Sequence, residues 1–253
     1  MIQFSAVSMS YGGAPIIRDL DLEVAAGETV VLIGPSGGGK TTALKMVNGL
    51  VMPTAGRVEV NGRPVERWDL QALRRISGYV IQEVGLFPHW TVARNVGILP
   101  RLSGWDGGKI ARRVDELLAL VELNPAEYGR RYPHELSGGE AQRVGVARAL
   151  ALKPAILLMD EPFGALDPLT RAQLQEELLR ILGELNVATL LVTHDLAEAF
   201  RLADRVAVLV AGRLEQVDTP QRMLAQPESA FIRRLLAAEL IGAKPSGGGK
   251  EQP

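Results

Sequence analysis

Four short apolar runs stand out along the chain, at residues 29–33, 155–159, 188–193 and 206–210. Each is rich in Val, Ile and Leu and continuous rather than alternating, the pattern of strands buried on both faces of a parallel sheet. Between them the apolar spacing becomes helical. Ile110, Val114, Leu117, Leu118 and Val121 share one face, and Leu174, Leu178, Ile181, Leu182 and Leu185 repeat the pattern. Strands alternating with amphipathic helices predict an α/β core of mainly parallel sheet. Residues 1–28 and 55–66 read differently, as short strand-like pieces with turns such as Gly56-Arg57-Val58-Glu59-Val60-Asn61-Gly62, and predict an antiparallel β flap. Residues 84–134 carry no buried-strand signal and read as an inserted α-helical subdomain. The expected division is one domain over 1–242, its core made of 1–83 and 135–242, followed by a disordered tail at 243–253 without an apolar pattern.

Composition narrows the classes. The 253 residues are 47% hydrophobic and 23% charged, enough apolar material for a substantial core. A net charge of −1 argues against nucleic acid as a partner, because such binders neutralise phosphates with a basic face. With no cysteine, neither a disulfide framework nor a thiolate zinc site can form. No stretch approaches the roughly 18 uninterrupted apolar residues of a membrane helix, and Met1-Ile2-Gln3-Phe4-Ser5 has no signal-peptide character. The expectation is a soluble chain whose membrane role comes through partners.

The chemistry begins where the first apolar run ends. Gly34-Pro35-Ser36-Gly37-Gly38-Gly39-Lys40-Thr41 is a complete phosphate loop directly after a predicted strand. Its glycines let successive N–H groups turn inward around an anion, and a helix starting near Lys40 adds its positive dipole end. Lys40 is expected to reach the β- and γ-phosphates and the Thr41 hydroxyl to ligate Mg²⁺, with Thr42 beside them. The second run leads into Asp160-Glu161, both at a strand's carboxyl end where α/β sheets bind ligands. Asp160 is expected to hold the metal through water and Glu161 to act as general base; two solvated acids capping a loop are the competing reading. His194 follows another buried strand and Gln82 ends the run Tyr79-Val80-Ile81, where an amide can sense metal and water. Either alone reads equally well as structural.

Leu136-Ser137-Gly138-Gly139-Glu140 is open to two readings. Ser137 and Glu140 make a helix capping box. The two glycines do nothing for a cap and weaken a helix, whereas bare amides at a helix start bind anions. Two phosphate-binding elements far apart in sequence predict a dimer that shares each nucleotide.

Together these residues resemble the ATP-binding subunit of ABC transporters, over residues 2–240 or so. The family's Walker A falls on Gly34–Thr41, its Q-loop on Gln82, its signature on Leu136–Glu140 and its Walker B on Ile156–Asp160 with the catalytic Glu161. Its D-loop falls on Ala165-Leu166-Asp167 and its switch histidine on His194, and Tyr11 lies where the family stacks an aromatic ring on adenine. The resemblance implies ATP and Mg²⁺, with Thr41, Gln82 and Asp160 toward the metal. It also implies a head-to-tail dimer in which Ser137, Gly138 and Gly139 of one copy close on the γ-phosphate held by the other copy's Lys40. It further implies transmembrane permease subunits, an extracytoplasmic solute-binding protein acting indirectly, and a place at the cytoplasmic face of the membrane. Glu140 departs from the commoner Gln and adds a negative charge near a polyanion, so slightly weaker closure is expected.

Gly78–Gln82 with Gly85–His89, Arg131–Glu135 and Met159–Pro168 resemble importers of osmoprotectants such as glycine betaine or choline. A methionine or polar amino acid importer is the alternative. The compact, cysteine-free stretch from Lys40 to Ser137 and the single cassette speak against soluble repair or translation ATPases, and a small-molecule kinase has no use for Leu136–Glu140. Many ATPases of the osmoprotectant subgroup carry a C-terminal pair of CBS domains; the chain given ends before such a module, so gating through it is not expected. Leu86, Phe87, Pro88 and Trp90 are expected either to wall a groove for a partner's helix or to form a local core.

Overall fold

In the computed structural model, residues 1–164 and 166–242 are described, with side chains as far as residue 237. β1 (Ile2–Tyr11) and β2 (Ala14–Val24) form a hairpin with alternating inward positions Ile2, Phe4, Val7 and Met9. β3 (Thr29–Ile33) is buried along its whole length and feeds the glycine-rich loop, which leads into α1 (Lys40–Val47). The chain then returns through β4 (Ala55–Val60), β5 (Arg63–Pro64), α2 (Leu70–Arg75) and β6 (Ser77–Val80). Four helices follow without a strand: α3 (Val92–Val96), α4 (Ile98–Leu102), α5 (Gly107–Leu120) and α6 (Pro125–Tyr128). The alternation resumes with α7 (Gly138–Ala149), β7 (Ile156–Asp160), α8 (Pro168–Glu184), β8 (Ala188–Val192), α9 (Leu196–Leu202) and β9 (Arg205–Val210). It closes with β10 (Arg213–Asp218), α10 (Pro220–Ala225) and α11 (Ala230–Gly242).

The larger sheet has the order β10-β9-β3-β8-β7-β6, with parallel pairings from β9 through β6 and an antiparallel edge at β10. The smaller sheet, β2-β1-β4-β5, is antiparallel throughout. Because side chains alternate across a strand, β3 supplies both cores. Val31 and Ile33 pack with α5, α7 and α8 on one face, and Val30 and Leu32 with α1 and the flap on the other. This double covering is why the predicted strands read as unbroken apolar runs.

The flap strands are longer than the short pieces the sequence suggested, 10 and 11 residues. Register shifts between Phe4 and Val7 and again near Met9 interrupt the apolar alternation. At the first, Ala6 takes a φ of 46° and its N–H donates to Asp21 Oδ1 at 2.9 Å. The expected tail at 243–253, and Ala165 of the D-loop match, lie outside the described residues.

Candidate nucleotide-binding site

The parallel order aligns the carboxyl ends of β3, β7 and β8, so the loop, Glu161 and His194 emerge at one edge of the sheet. Gly39 caps α1 with a φ of 96°, and a Cβ there would lie 2.8 Å from Ile17 Cγ1 and 2.9 Å from the Ile16 carbonyl oxygen. Both the turn and the close approach therefore demand glycine. No side chain caps α1, so its first-turn amides remain available to an anion. Lys40 is buried, and its ammonium donates to the carbonyls of Gly34 (2.8 Å) and Pro35 (2.9 Å). Burial pushes its pKa below the ordinary lysine value, against the pull of Glu161 and Asp160.

Thr41 Oγ1 donates to Asp160 Oδ1 at 3.0 Å, joining the loop to the end of β7. Burial raises the Asp160 carboxyl above its usual range, with the Thr41 hydrogen bond opposing. A cavity of about 390 Å³ opens over the loop, lined by Tyr11, Ile16, Ser36 to Thr42, Gln82 and Glu161. That size suits a small-molecule ligand. Gly34 and Pro35 stand behind it as acceptors for Lys40, and Asp160 behind Thr41.

Glu161 sits at a φ of 50°, a left-handed conformation that costs a non-glycine residue about 1–2 kcal/mol. Its N–H donates to the Val192 carbonyl at 2.9 Å, which ties it to β8. Its Oε2 lies 2.5 Å from His194 Nδ1. With Nδ1–H as the donor, the carboxylate accepts in that contact.

At Ser137–Glu140 the structure shows the capping box. Ser137 Oγ accepts from the Glu140 N–H at 3.3 Å, and Glu140 Oε2 accepts from the Ser137 N–H at 2.7 Å. The glycine at 139 has a separate reason: a Cβ there would meet Thr170 Cγ2 of α8 at 2.5 Å. Ser137 and Gly138 are exposed, and no residue of 137–140 lines the cavity around Lys40. Within one subunit this segment and the glycine-rich loop stay apart.

Several residues near the site carried no motif. Arg148 of α7 donates to the carbonyls of Val84 (2.6 Å) and Gly85 (2.7 Å), just past Gln82. Its signal was an arginine inside the apolar run Val146-Ala147-Arg148-Ala149-Leu150. Arg171 donates to the Leu166 carbonyl at 3.2 Å and lies 3.5 Å from Asp195 Oδ2, bridging the segments beside Glu161 and His194. Of the expected groove, Leu86 packs on the core, whereas Phe87 is 41% exposed and lies against Trp90 in a tilted pair with ring centroids 4.3 Å apart. The fully buried Asn95 organises this loop, accepting from the Phe87 N–H and donating to the carbonyls of Phe87, Trp90 and Thr91.

Residues 17–164 match the ABC transporter family. The chain is 48% identical to the glycine betaine/carnitine/choline transport ATP-binding protein OpuCA of Bacillus subtilis, over 97% of this chain and 65% of that protein. It is 46% identical to the glycine betaine uptake system ATP-binding protein YehX of Escherichia coli, over 96% of this chain and 79% of that one. The solved dimeric structure of a bacterial ABC transporter cassette superposes with a TM-score of 0.78 at 32% identity, covering 87% of this chain and 99% of that chain. This chain thus spans somewhat less than two thirds of the length of the first of these relatives. Among the described residues no helix is long and apolar enough to cross a membrane.

Proposed function

The chain belongs to the ABC transporter family, and from that premise we propose that two copies close head to tail around ATP and hydrolyse it to power import of a small solute. Each copy would hold a nucleotide on Gly34–Thr42, with Tyr11 offering its exposed ring to the base. The observation that carries this reading is the separation of Ser137 and Gly138 from their own subunit's cavity. Exposed and capped, they have a use for phosphate only in a second copy.

Lys40 exchanges its carbonyl contacts for phosphate oxygens, a stronger charge-assisted pairing. Glu161 accepts a proton from the attacking water, and His194 holds the Glu161 carboxylate in place through Nδ1. Gln82, which lines the same cavity as Glu161, orients that water by its amide. The Ser137 hydroxyl accepts from Glu140 N–H, which leaves its own proton free to donate to a partner's γ-phosphate. Mg²⁺, when bound, neutralises charge on the phosphates. No cluster of three or more metal-binding His, Cys, Asp or Glu occurs among the described residues. Thr41 and Asp160, with the Gln82 amide on the same cavity, fit an ion that takes its other ligands from phosphate and water.

The cargo we propose is a quaternary ammonium osmoprotectant, supported by the named substrates of OpuCA and YehX. Transmembrane permease subunits would receive the motion from the segment 84–134, with Phe87 on the exposed side, at the inner face of the membrane. Glu161→Gln tests the chemistry: ATP binding should persist, turnover should vanish and a stable dimer should appear by size exclusion. Unchanged hydrolysis would remove Glu161 as base. Choline or glycine betaine should stimulate ATP turnover in the assembled transporter, and stimulation by methionine alone would reassign the cargo.

A further inference from the structure

We propose that Tyr128 and Glu140 form a brace that positions Ser137 for the second copy's nucleotide, so that the carboxylate at 140 works with its neighbours rather than against the phosphates. The inference rests on the shared-nucleotide reading above and adds residues to it. Glu140 uses both oxygens. Oε2 accepts from the Ser137 N–H at 2.7 Å, and Oε1 accepts from the Tyr128 hydroxyl at 2.6 Å. Arg131 stands 4.0 Å from Oε1, and its guanidinium lies 4.2 Å over the Tyr128 ring. The brace thus runs from Ser137 across to α6.

Its far end is anchored. The Tyr128 N–H donates to the Asn124 carbonyl at 2.9 Å, and the ring packs against the larger core. The N–H groups of Val92 and Ala93 donate to the carbonyls of Arg131 (2.8 Å) and Gly129 (3.1 Å), fastening this segment to α3. The near end decides an orientation. With its N–H drawn to Glu140, Ser137 keeps its hydroxyl oxygen accepting from the Glu140 N–H, which leaves the hydroxyl proton free for another acceptor.

The charge is absorbed as well. Two donors and a guanidinium face the carboxylate, and together they hold its pKa below the usual range, the Tyr128 hydroxyl first among them. An amide at 140 has one acceptor oxygen for the Ser137 N–H and would have to donate its NH2 to the Tyr128 oxygen, without charge assistance and roughly half as strongly. The expectation that Glu140 simply repels the incoming phosphates therefore treats as bare a charge that the fold has already engaged.

The test uses the full chain carrying Glu161→Gln, with ATP as the probe, and reads the ATP concentration at which half the protein is dimeric. Adding Tyr128→Phe removes one hydroxyl and keeps the ring under Arg131. It should raise that midpoint about tenfold, the effect of one lost charge-assisted hydrogen bond. Affinity of the monomer for a fluorescent ATP analogue should not move, since Tyr128 does not line the nucleotide cavity. In a Glu140→Gln background, where the remaining bond is about half as strong, the same change should shift the midpoint only about threefold. An unmoved midpoint, an equal shift in both backgrounds, or an equal loss of monomer affinity would each overturn the brace. A Glu140→Gln chain that dimerises at lower ATP than its parent would restore simple repulsion. If the Glu161→Gln parent stays monomeric in ATP, the shared-nucleotide reading itself fails first, and visibly so.

Discussion

Glu198 gives the sharpest stability prediction. It lies on α9, is 5% exposed, and its Oε1 has no hydrogen-bond partner. Burial raises its pKa to about 8, and the charges of Asp195 and Glu161 push the same way, against the Thr193 hydrogen bond and Arg171. In the unfolded chain the same carboxyl titrates near 4.5. Below that pH it is protonated in both states and costs nothing. As the pH rises, the unfolded chain ionises while the folded protein keeps the proton, so stability falls until about pH 8. Neutral pH lies roughly two and a half pH units above 4.5, and at about 1.36 kcal/mol per unit the penalty is about 3 kcal/mol. Glu198→Gln keeps the shape and removes the titration. The variant should be more stable than the parent by about 3 kcal/mol at pH 7 and by less than about 1 kcal/mol at pH 5. Urea denaturation followed by tryptophan fluorescence at pH 5, 6, 7 and 8 measures that gap. A gap that does not widen with pH, or a variant weaker than its parent at pH 8, would refute the reasoning.

Two further perturbations probe the site. Lys40→Ala removes the buried ammonium that two loop carbonyls hold in place, and binding of a fluorescent ATP analogue should weaken at least about a hundredfold; a change within threefold would count against Lys40 as a phosphate ligand. Arg148→Met keeps most of the side-chain bulk but strands the Val84 and Gly85 carbonyls, at a cost of about 2–4 kcal/mol. Amide exchange over 82–87 should accelerate and hydrolysis fall while ATP affinity holds, and unchanged exchange would dismiss Arg148 as the anchor of the Gln82 segment.

The phosphate loop, the two carboxylates after the second apolar run and the capping box were all legible because their logic is local. A glycine turn needs its glycines within eight residues, and Ser137 reaches Glu140 across one helical turn. The strands of the main sheet were legible for a similar reason, since burial on both faces leaves an unbroken apolar run. The flap strands were blurred because bulges at Ala6 and near Met9 break the period of two. Arg148 and Tyr128 were missed because an arginine or tyrosine has no pattern of its own; only its distant partner gives it a role.

The amino-acid sequence by itself determined which segments would be strand, helix or phosphate loop, because spacings of two to four residues carry that information. The tertiary structure alone decided which of those pieces would meet. Thr41 touches Asp160 across 119 residues of chain, and His194 reaches Glu161 across 33. Those meetings follow from the strand order β3-β8-β7, which sets three carboxyl ends side by side. Strand order is a matter of global packing and chain crossing, and no local pattern of residues encodes it.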